Sequence, residues 1–209
     1  MASGTGEATT TATTAPPSTG RRWRVVDIVV AAVLGVAGGV LFAVMNISYE
    51  SIGRIFSAVP PLTGLVVGVW LLPGVLGMLV IRKPGAALFT ELVAALVSAL
   101  IGSTWGLSVL WYGLLEGLAP ELVFAAFAYR SFGRPVALLA GAAAGVAAAG
   151  LDLVVYYSTL TTGFKLAYAA SVIVSGAVIA GLGGSALTRA LARTGATAHL
   201  TSGRDGARV

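Results

Sequence analysis

The sequence predicts an all-α, polytopic membrane protein built as a bundle of six transmembrane helices, with both termini cytoplasmic. Three observations carry that prediction. The 209 residues are 57% hydrophobic and 10% charged, where soluble domains carry about 25% charged residues, and the mean hydropathy is +0.92. Apolar runs near 20 residues, the helical length that crosses a hydrocarbon layer of roughly 30 Å, recur along the chain. Threading those runs through a bilayer places nearly all the basic residues on one side.

Residues 1–20 are Thr, Ala, Ser, Gly and Pro with a single Glu. Such a composition buries too little apolar surface to fold, so the expectation is a disordered tail. Arg21-Arg22-Trp23-Arg24 opens the first span, about residues 25–45. That run is long enough to cross, no small-residue cleavage site follows it, and the twin Arg lacks the rest of an export signal, so it is read as a cytoplasmic anchor. Five more spans follow at about 62–81, 86–102, 106–128, 135–157 and 168–191. The run 86–102 is short and contains Glu91, but Arg82-Lys83-Pro84-Gly85 and Gly102-Ser103-Thr104-Trp105-Gly106 delimit it as an element. Residues 46–61, ending in Pro60-Pro61, form an amphipathic outer connection that either covers a site or lies on the headgroups. The membrane domain therefore runs over 21–195, and 196–209 is a second disordered polar tail.

With the N-terminus inside, the cytoplasmic segments hold Arg21, Arg22, Arg24, Arg82, Lys83, Arg130, Arg134, Arg189, Arg193, Arg204 and Arg208, while the outer segments hold Arg54 and Lys165. This asymmetry predicts a multi-pass protein of the cell membrane with both termini in the cytoplasm. It also accounts for the net charge of +5 without a nucleic-acid partner.

Composition removes most catalytic chemistry. There is no Cys, and the one His, His199, sits in the polar tail, so thiol nucleophiles, a buried Ser–His pair and a Cys/His metal site are not expected. The sequence carries no Gly-x4-Gly-Lys-Ser/Thr loop to cradle nucleotide phosphates. The expectation is a protein that is not an enzyme and holds neither cofactor nor metal.

Between apolar helices in lipid, small residues govern close packing. The first span presents Ala31, Gly35, Gly38 and Gly39 on one stripe, the fifth Gly141, Gly145, Ala148 and Ala149, and the sixth Gly176, Ala180 and Gly184. Either all three stripes are internal packing, or one of them docks a separate membrane partner.

Carboxylates inside a membrane are costly and mark functional positions. Glu116 falls at mid-depth on a face shared with Tyr112, Ser108 and Trp105, which describes the wall of a cavity opening outward. Asp152, with Tyr156 one turn on, sits near the outer edge of the fifth span. Glu91 and Glu121 lie in the inner half, where Arg82, Lys83, Arg130 or Arg134 could snorkel to them, so ion pairing or partner docking is expected. Asp27, beside Arg24, reads as an N-terminal helix charge. Trp23 is an interface anchor, and Trp70, Trp105 and Trp111 fall in the outer half as belt residues or as a platform for a flat ring.

Several segments resemble one known family. They are Trp70-Leu-Leu-Pro-Gly74, Ile81-Arg-Lys-Pro-Gly-Ala-Ala-Leu88, Glu91, Gly102-Ser-Thr-Trp-Gly106, Glu116-Gly-Leu-Ala-Pro-Glu-Leu-Val-Phe124 and Ala192-Arg-Thr-Gly195. Together they look like the YkoE-type S components, the substrate-binding subunits of energy-coupling-factor (ECF) vitamin transporters associated with thiamine or its hydroxymethylpyrimidine precursor. The resemblance covers about residues 21–195. It implies a six-helix S component with an outward pocket capped by the first loop, working with a transmembrane coupling protein and two cytoplasmic ATPases. The Ala31-x3-Gly35 stripe then resembles the surface by which S components dock on the coupling protein, with Gly38 and Gly39 continuing it. In such a pocket Glu116 would accept from an exocyclic amine, Asn46 would pair with a ring nitrogen, Trp70 or Trp105 would stack on the ring, and Asp152 or an aromatic face would meet a thiazolium cation. Tyr49, Tyr112 and Tyr156 complete the expected substrate-binding set. A self-sufficient small-solute carrier and a non-transport membrane scaffold are the competing readings.

Overall fold

The computed structural model describes residues 22–195 and Leu200. The tails expected over 1–20 and 196–209, with Arg21 and His199, otherwise lie outside the described residues. Six helices make the bundle: α1 (Val25–Ile55), α2 (Pro60–Ile81), α3 (Ala86–Gly102), α4 (Val109–Ala126), α5 (Arg134–Val155) and α6 (Thr162–Arg193). Five of them are long and apolar enough to cross a membrane, and α3, at 17 residues, is the short one.

The helices neighbour one another in a ring, α1 on α3, α3 on α4, α4 on α5, α5 on α6, and α6 back onto the first half of α2. The second half of α2 runs through the middle, and Val75, Met78, Val80 and Ile81 are completely buried. Its sequence, Leu72-Pro-Gly-Val-Leu-Gly-Met-Leu-Val-Ile81, is apolar on every side, as a helix surrounded by other helices must be.

The first span is longer than the sequence reading had it. No helix breaker stands between Asn46 and Ile52, so α1 continues to Ile55, and an Arg54–Glu50 pair at 3.1 Å joins its last turns. The expected outer connection over 46–61 is therefore mostly helix, and the pocket cap inferred from it is corrected to a helical extension. Pro60-Pro61 opens α2 instead of closing a loop.

Two helices depart from α geometry where they face each other. Residues Pro60–Val69 of α2 form a 3-10 helix, and Gly176–Gly183 of α6 a π-helical stretch; runs of this length are uncommon. Side chains of α6 hold the tightened helix. Ser171 Oγ donates to Pro61 O (2.7 Å), while Ser175 Oγ donates to Leu65 O (2.6 Å) and accepts from Gly68 N (2.8 Å). Irregular backbone is sustained in an apolar protein when neighbouring hydroxyls satisfy it in this way.

The basic turn Arg82–Gly85 is fastened on both sides. Gly85 holds φ 88°, a conformation that favours glycine. Lys83 pairs with the buried Asp27 and also donates to Arg22 O (2.7 Å), and Trp23 Nε1 donates to Pro84 O (2.9 Å). On the far side, Glu121 accepts from Gly85 N (2.6 Å), Ala87 N (3.0 Å) and the Tyr129 hydroxyl (2.9 Å), capping α3 from another helix. Asp27 is thus an N-terminal helix charge, bonded to Arg24 N at 2.7 Å, and also the partner of Lys83. The expectation that Lys83 would reach toward Glu91 or Glu121 is corrected accordingly. Arg82 lies over the Phe132 ring, 5.1 Å from its centre.

The small-residue stripe of α1 is corrected as well. Ala31, Gly35, Gly38 and Gly39 are all buried, and they face α3 and Pro73 of α2. A Cβ on Gly35 would lie 2.7 Å from Val93, and one on Gly39 2.5 Å from Val97. The stripe is used up inside the molecule and presents no surface to a partner. The α5 and α6 stripes meet each other in the same manner: a Cβ on Gly141 would collide with Gly176 O.

Candidate functional site

At the end of the bundle away from the Arg82–Gly85 turn, the helices part around a cavity of about 250 Å³. Every helix contributes. Asn46 and Tyr49 come from the extension of α1 and Trp70 from the junction between the two halves of α2. Trp105 comes from the α3–α4 connection, Tyr112 and Glu116 from one face of α4, and Asp152 and Tyr156 from the end of α5. All eight residues expected at a substrate site therefore meet on one cavity wall. Of the related expectations, Ser108 is not on that wall; its hydroxyl donates to Trp105 O (2.6 Å) and shapes the turn. Trp111 is 68% exposed on the outside of the bundle, as a belt residue would be.

The aromatic groups are held in position. Tyr49 meets Trp70 and Trp105 edge-on, with ring centres 6.0 and 5.5 Å apart, the arrangement aromatic quadrupoles prefer. Trp70 Nε1 donates to Asn46 Oδ1 (3.1 Å), and since an indole N–H can only donate, the amide orientation is fixed. Asn46 Nδ2 then donates to Ser98 Oγ (3.1 Å). Both ends of the Asn46 amide are thus engaged by protein, which holds the Trp70 indole in place.

The acids differ in their surroundings. Asp152 accepts from the Tyr112 hydroxyl (3.0 Å) and the Tyr168 hydroxyl (2.6 Å), one on each oxygen. Glu116, 6% exposed, has no hydrogen-bond partner among the described residues. Glu91 is fully buried; its Oε2 accepts from Gly74 N (2.6 Å), and its Oε1 has no partner among the described residues. Among the described residues, three carboxyl groups and seven Trp or Tyr rings line the cavity, and no Lys, Arg or His does. Such a lining suits a flat, cationic or N–H-rich molecule and repels anions.

Sequence reasoning missed Glu91, Ser98, Tyr157 and Tyr168 as wall residues. Counting from the Arg82–Gly85 turn puts Glu91 in the inner half, but α3 is short and the cavity reaches down between α2 and α4. Hydropathy starts the sixth span at Tyr168, but α6 begins at Thr162 and carries Tyr168 inward, where its ring meets Tyr157 at 4.8 Å. Ser98 is a position at which the family resemblance implies ligand chemistry, but one hydroxyl in an apolar run does not show by itself that it reaches the wall. Tyr157 follows the end of α5, where helical periodicity ceases to apply.

Comparison with known proteins agrees with this architecture. The family model described as "ABC-type cobalt transport system, permease component" matches residues 26–147. The "Putative HMP/thiamine permease protein YkoE" of Bacillus subtilis (strain 168) is 34% identical over 188 residues, covering 88% of this chain and 92% of the relative. A solved structure described as "Crystal structure of an S-component of ECF transporter" superposes with a TM-score of 0.84 at 33% identity, covering 88% of this chain and 93% of the other.

Proposed function

The chain belongs to the YkoE family of ECF-transporter S components and is a multi-pass, substrate-binding transport subunit; from that premise we propose that its cargo is thiamine, captured from outside the cell. The observation that supports this reading is the cavity lining. Glu91, Glu116 and Asp152 stand with Tyr49, Trp70 and Trp105 around a space that no basic side chain of the described residues lines. Thiamine joins an aminopyrimidine, which offers N–H donors to a carboxylate, to a thiazolium, a permanent cation suited to acids and aromatic faces. Hydroxymethylpyrimidine supplies only the first half. The carboxyl groups do not gather into a set of three or more metal donors among the described residues, which favours an organic cargo over a metal ion.

The inside-positive loops support an orientation with the cavity mouth on the outer side and both termini in the cytoplasm. Its transport partners, as membership of this family implies, are a transmembrane coupling protein and two ATPase subunits, and the lack of a nucleotide-phosphate loop in this sequence fits that division. Titration of the purified protein tests the cargo, because Trp70 and Trp105 report from within the cavity. Thiamine should quench tryptophan emission saturably and bind at least about tenfold more tightly than hydroxymethylpyrimidine, the worth of one cation contact. A flat response to both, from protein shown to be folded by its helical circular dichroism, would discard the assignment.

A further inference from the structure

The carboxyl group of Glu91 sits where two different features of the molecule meet. On one side is the break in α2: the 3-10 helix ends at Val69, and the α-helical half begins at Leu72 with Pro73 in its first turn. A helix start leaves backbone N–H groups without intrahelical partners, and Gly74 N is answered by Glu91 Oε2 at 2.6 Å. On the other side is the cavity, whose wall Glu91 joins. The side chain lies in a slot made by glycines. A Cβ on Gly74 would stand 2.9 Å from Glu91 Oε2, and one on Gly117 of α4 3.0 Å from Glu91 Cβ. The slot holds the side chain so closely that it has little freedom to turn away.

One oxygen remains. Glu91 Oε1 is buried with no hydrogen-bond partner among the described residues, a costly condition for a carboxyl oxygen. Glu91 belongs to the cavity wall, and a cargo donor that reaches this oxygen by a slight yielding of the wall would relieve it. We propose that Glu91 is a two-ended coupling residue: Oε1 takes an N–H donor of the bound cargo while Oε2 holds the start of the α-helical half of α2, so that occupancy of the cavity tightens the helix break beside Trp70. This rests on the function proposed above and adds to it a route from cargo to backbone. The same junction carries Trp70 into the cavity, so the break in α2 touches the cargo twice, once through the indole and once through Glu91.

Gln and Glu differ at this position in a useful way. In Glu91→Gln the amide oxygen still accepts from Gly74 N, so the helix start is kept, while the NH2 turned to the cavity donates where the cargo needs an acceptor. Glu116→Gln is the control, because Glu116 bonds nothing in α2. Full-length protein in nanodiscs is titrated with thiamine, and amide hydrogen exchange of residues 71–75 is followed with and without it. Wild-type protein should bind thiamine and slow exchange at Gly74 on binding. Glu91→Gln should bind at least about tenfold more weakly, the scale of losing one hydrogen bond and setting a donor against a donor, and at saturating thiamine show no added protection at Gly74. Glu116→Gln should also bind weakly yet keep that added protection at saturation. If wild-type and Glu91→Gln protein bind equally, or if Gly74 exchange does not respond to thiamine in the wild type, the coupling role is overturned while the thiamine assignment stands. If wild-type protein binds no thiamine, both fall.

Discussion

Asp27 and Lys83 show how charge is managed in a chain that has so little of it. Their side chains are 1% and 6% exposed, and each is answered chiefly by the other, with Arg24 N on Asp27 and Arg22 O on Lys83. Removing one partner of such a pair strands the other. Asp27→Ala should lower stability by about 3 kcal/mol, read as an earlier thermal transition in detergent, and Asp27→Leu combined with Lys83→Met should regain most of the loss. Glu116 is a contrasting case, a buried acid with no bonded partner among the described residues. Glu116→Ala should leave the melting temperature nearly unchanged and weaken thiamine binding by at least about tenfold, and unchanged affinity in a titration would take Glu116 out of the site. Residues of this second sort were legible in the sequence. An acid at mid-depth beneath Tyr112 on one helix face announces itself, because lipid makes any carboxylate conspicuous. The partner of Lys83 was less legible, since a 56-residue separation hides which of several acids it reaches.

At the scale of the helix, the sequence located apolar runs well and their ends poorly. Hydropathy registers what lipid tolerates, whereas α1 passes Asn46 and Glu50 and continues to Ile55 because nothing in its backbone stops it. Likewise, no periodicity distinguishes the 3-10 half of α2 or the π stretch of α6 from ordinary helix; both exist through contacts with each other and with α5. The small-residue stripe of α1 was visible, but whether it faced inward could not be settled from one helix. With Val93 and Thr90 O already against Gly35, Gly35→Leu should destabilise the fold itself by about 2 kcal/mol or more, visible as an earlier melt of the isolated subunit. A normal melt with selective loss of a partner would restore the docking role to the stripe. Ser175 gives a second test at this scale. Ser175→Ala leaves both Leu65 O and Gly68 N without their hydroxyl, so a loss of about 1–2 kcal/mol is expected, with exchange at Gly68 rising ahead of the rest of α2.

For the whole molecule, the two ends of the bundle are built for different tasks, and the contrast bears on orientation. One end is fastened: Lys83 to Asp27, Trp23 to Pro84, Glu121 to the start of α3, all around a turn rich in bases. The other end opens into a cavity lined by acids and aromatic rings. If charge sets topology, the fastened end faces the cytoplasm and the cavity faces out. The chain lacks cysteine, so single introduced thiols can report sidedness without background. Ser57 and Ser158 lie exposed in connections at the cavity end, and Gly133 lies exposed at the other. Ser57→Cys and Ser158→Cys should react with a membrane-impermeant maleimide in intact cells, whereas Gly133→Cys should react only after the membrane is opened. Thiamine added beforehand should not slow the labelling of Ser57→Cys, which lies outside the cavity lining, so sidedness and occupancy can be read apart. The reverse pattern would turn the cavity toward the cytoplasm. An outside-capturing subunit would then be excluded, however well thiamine fitted the site.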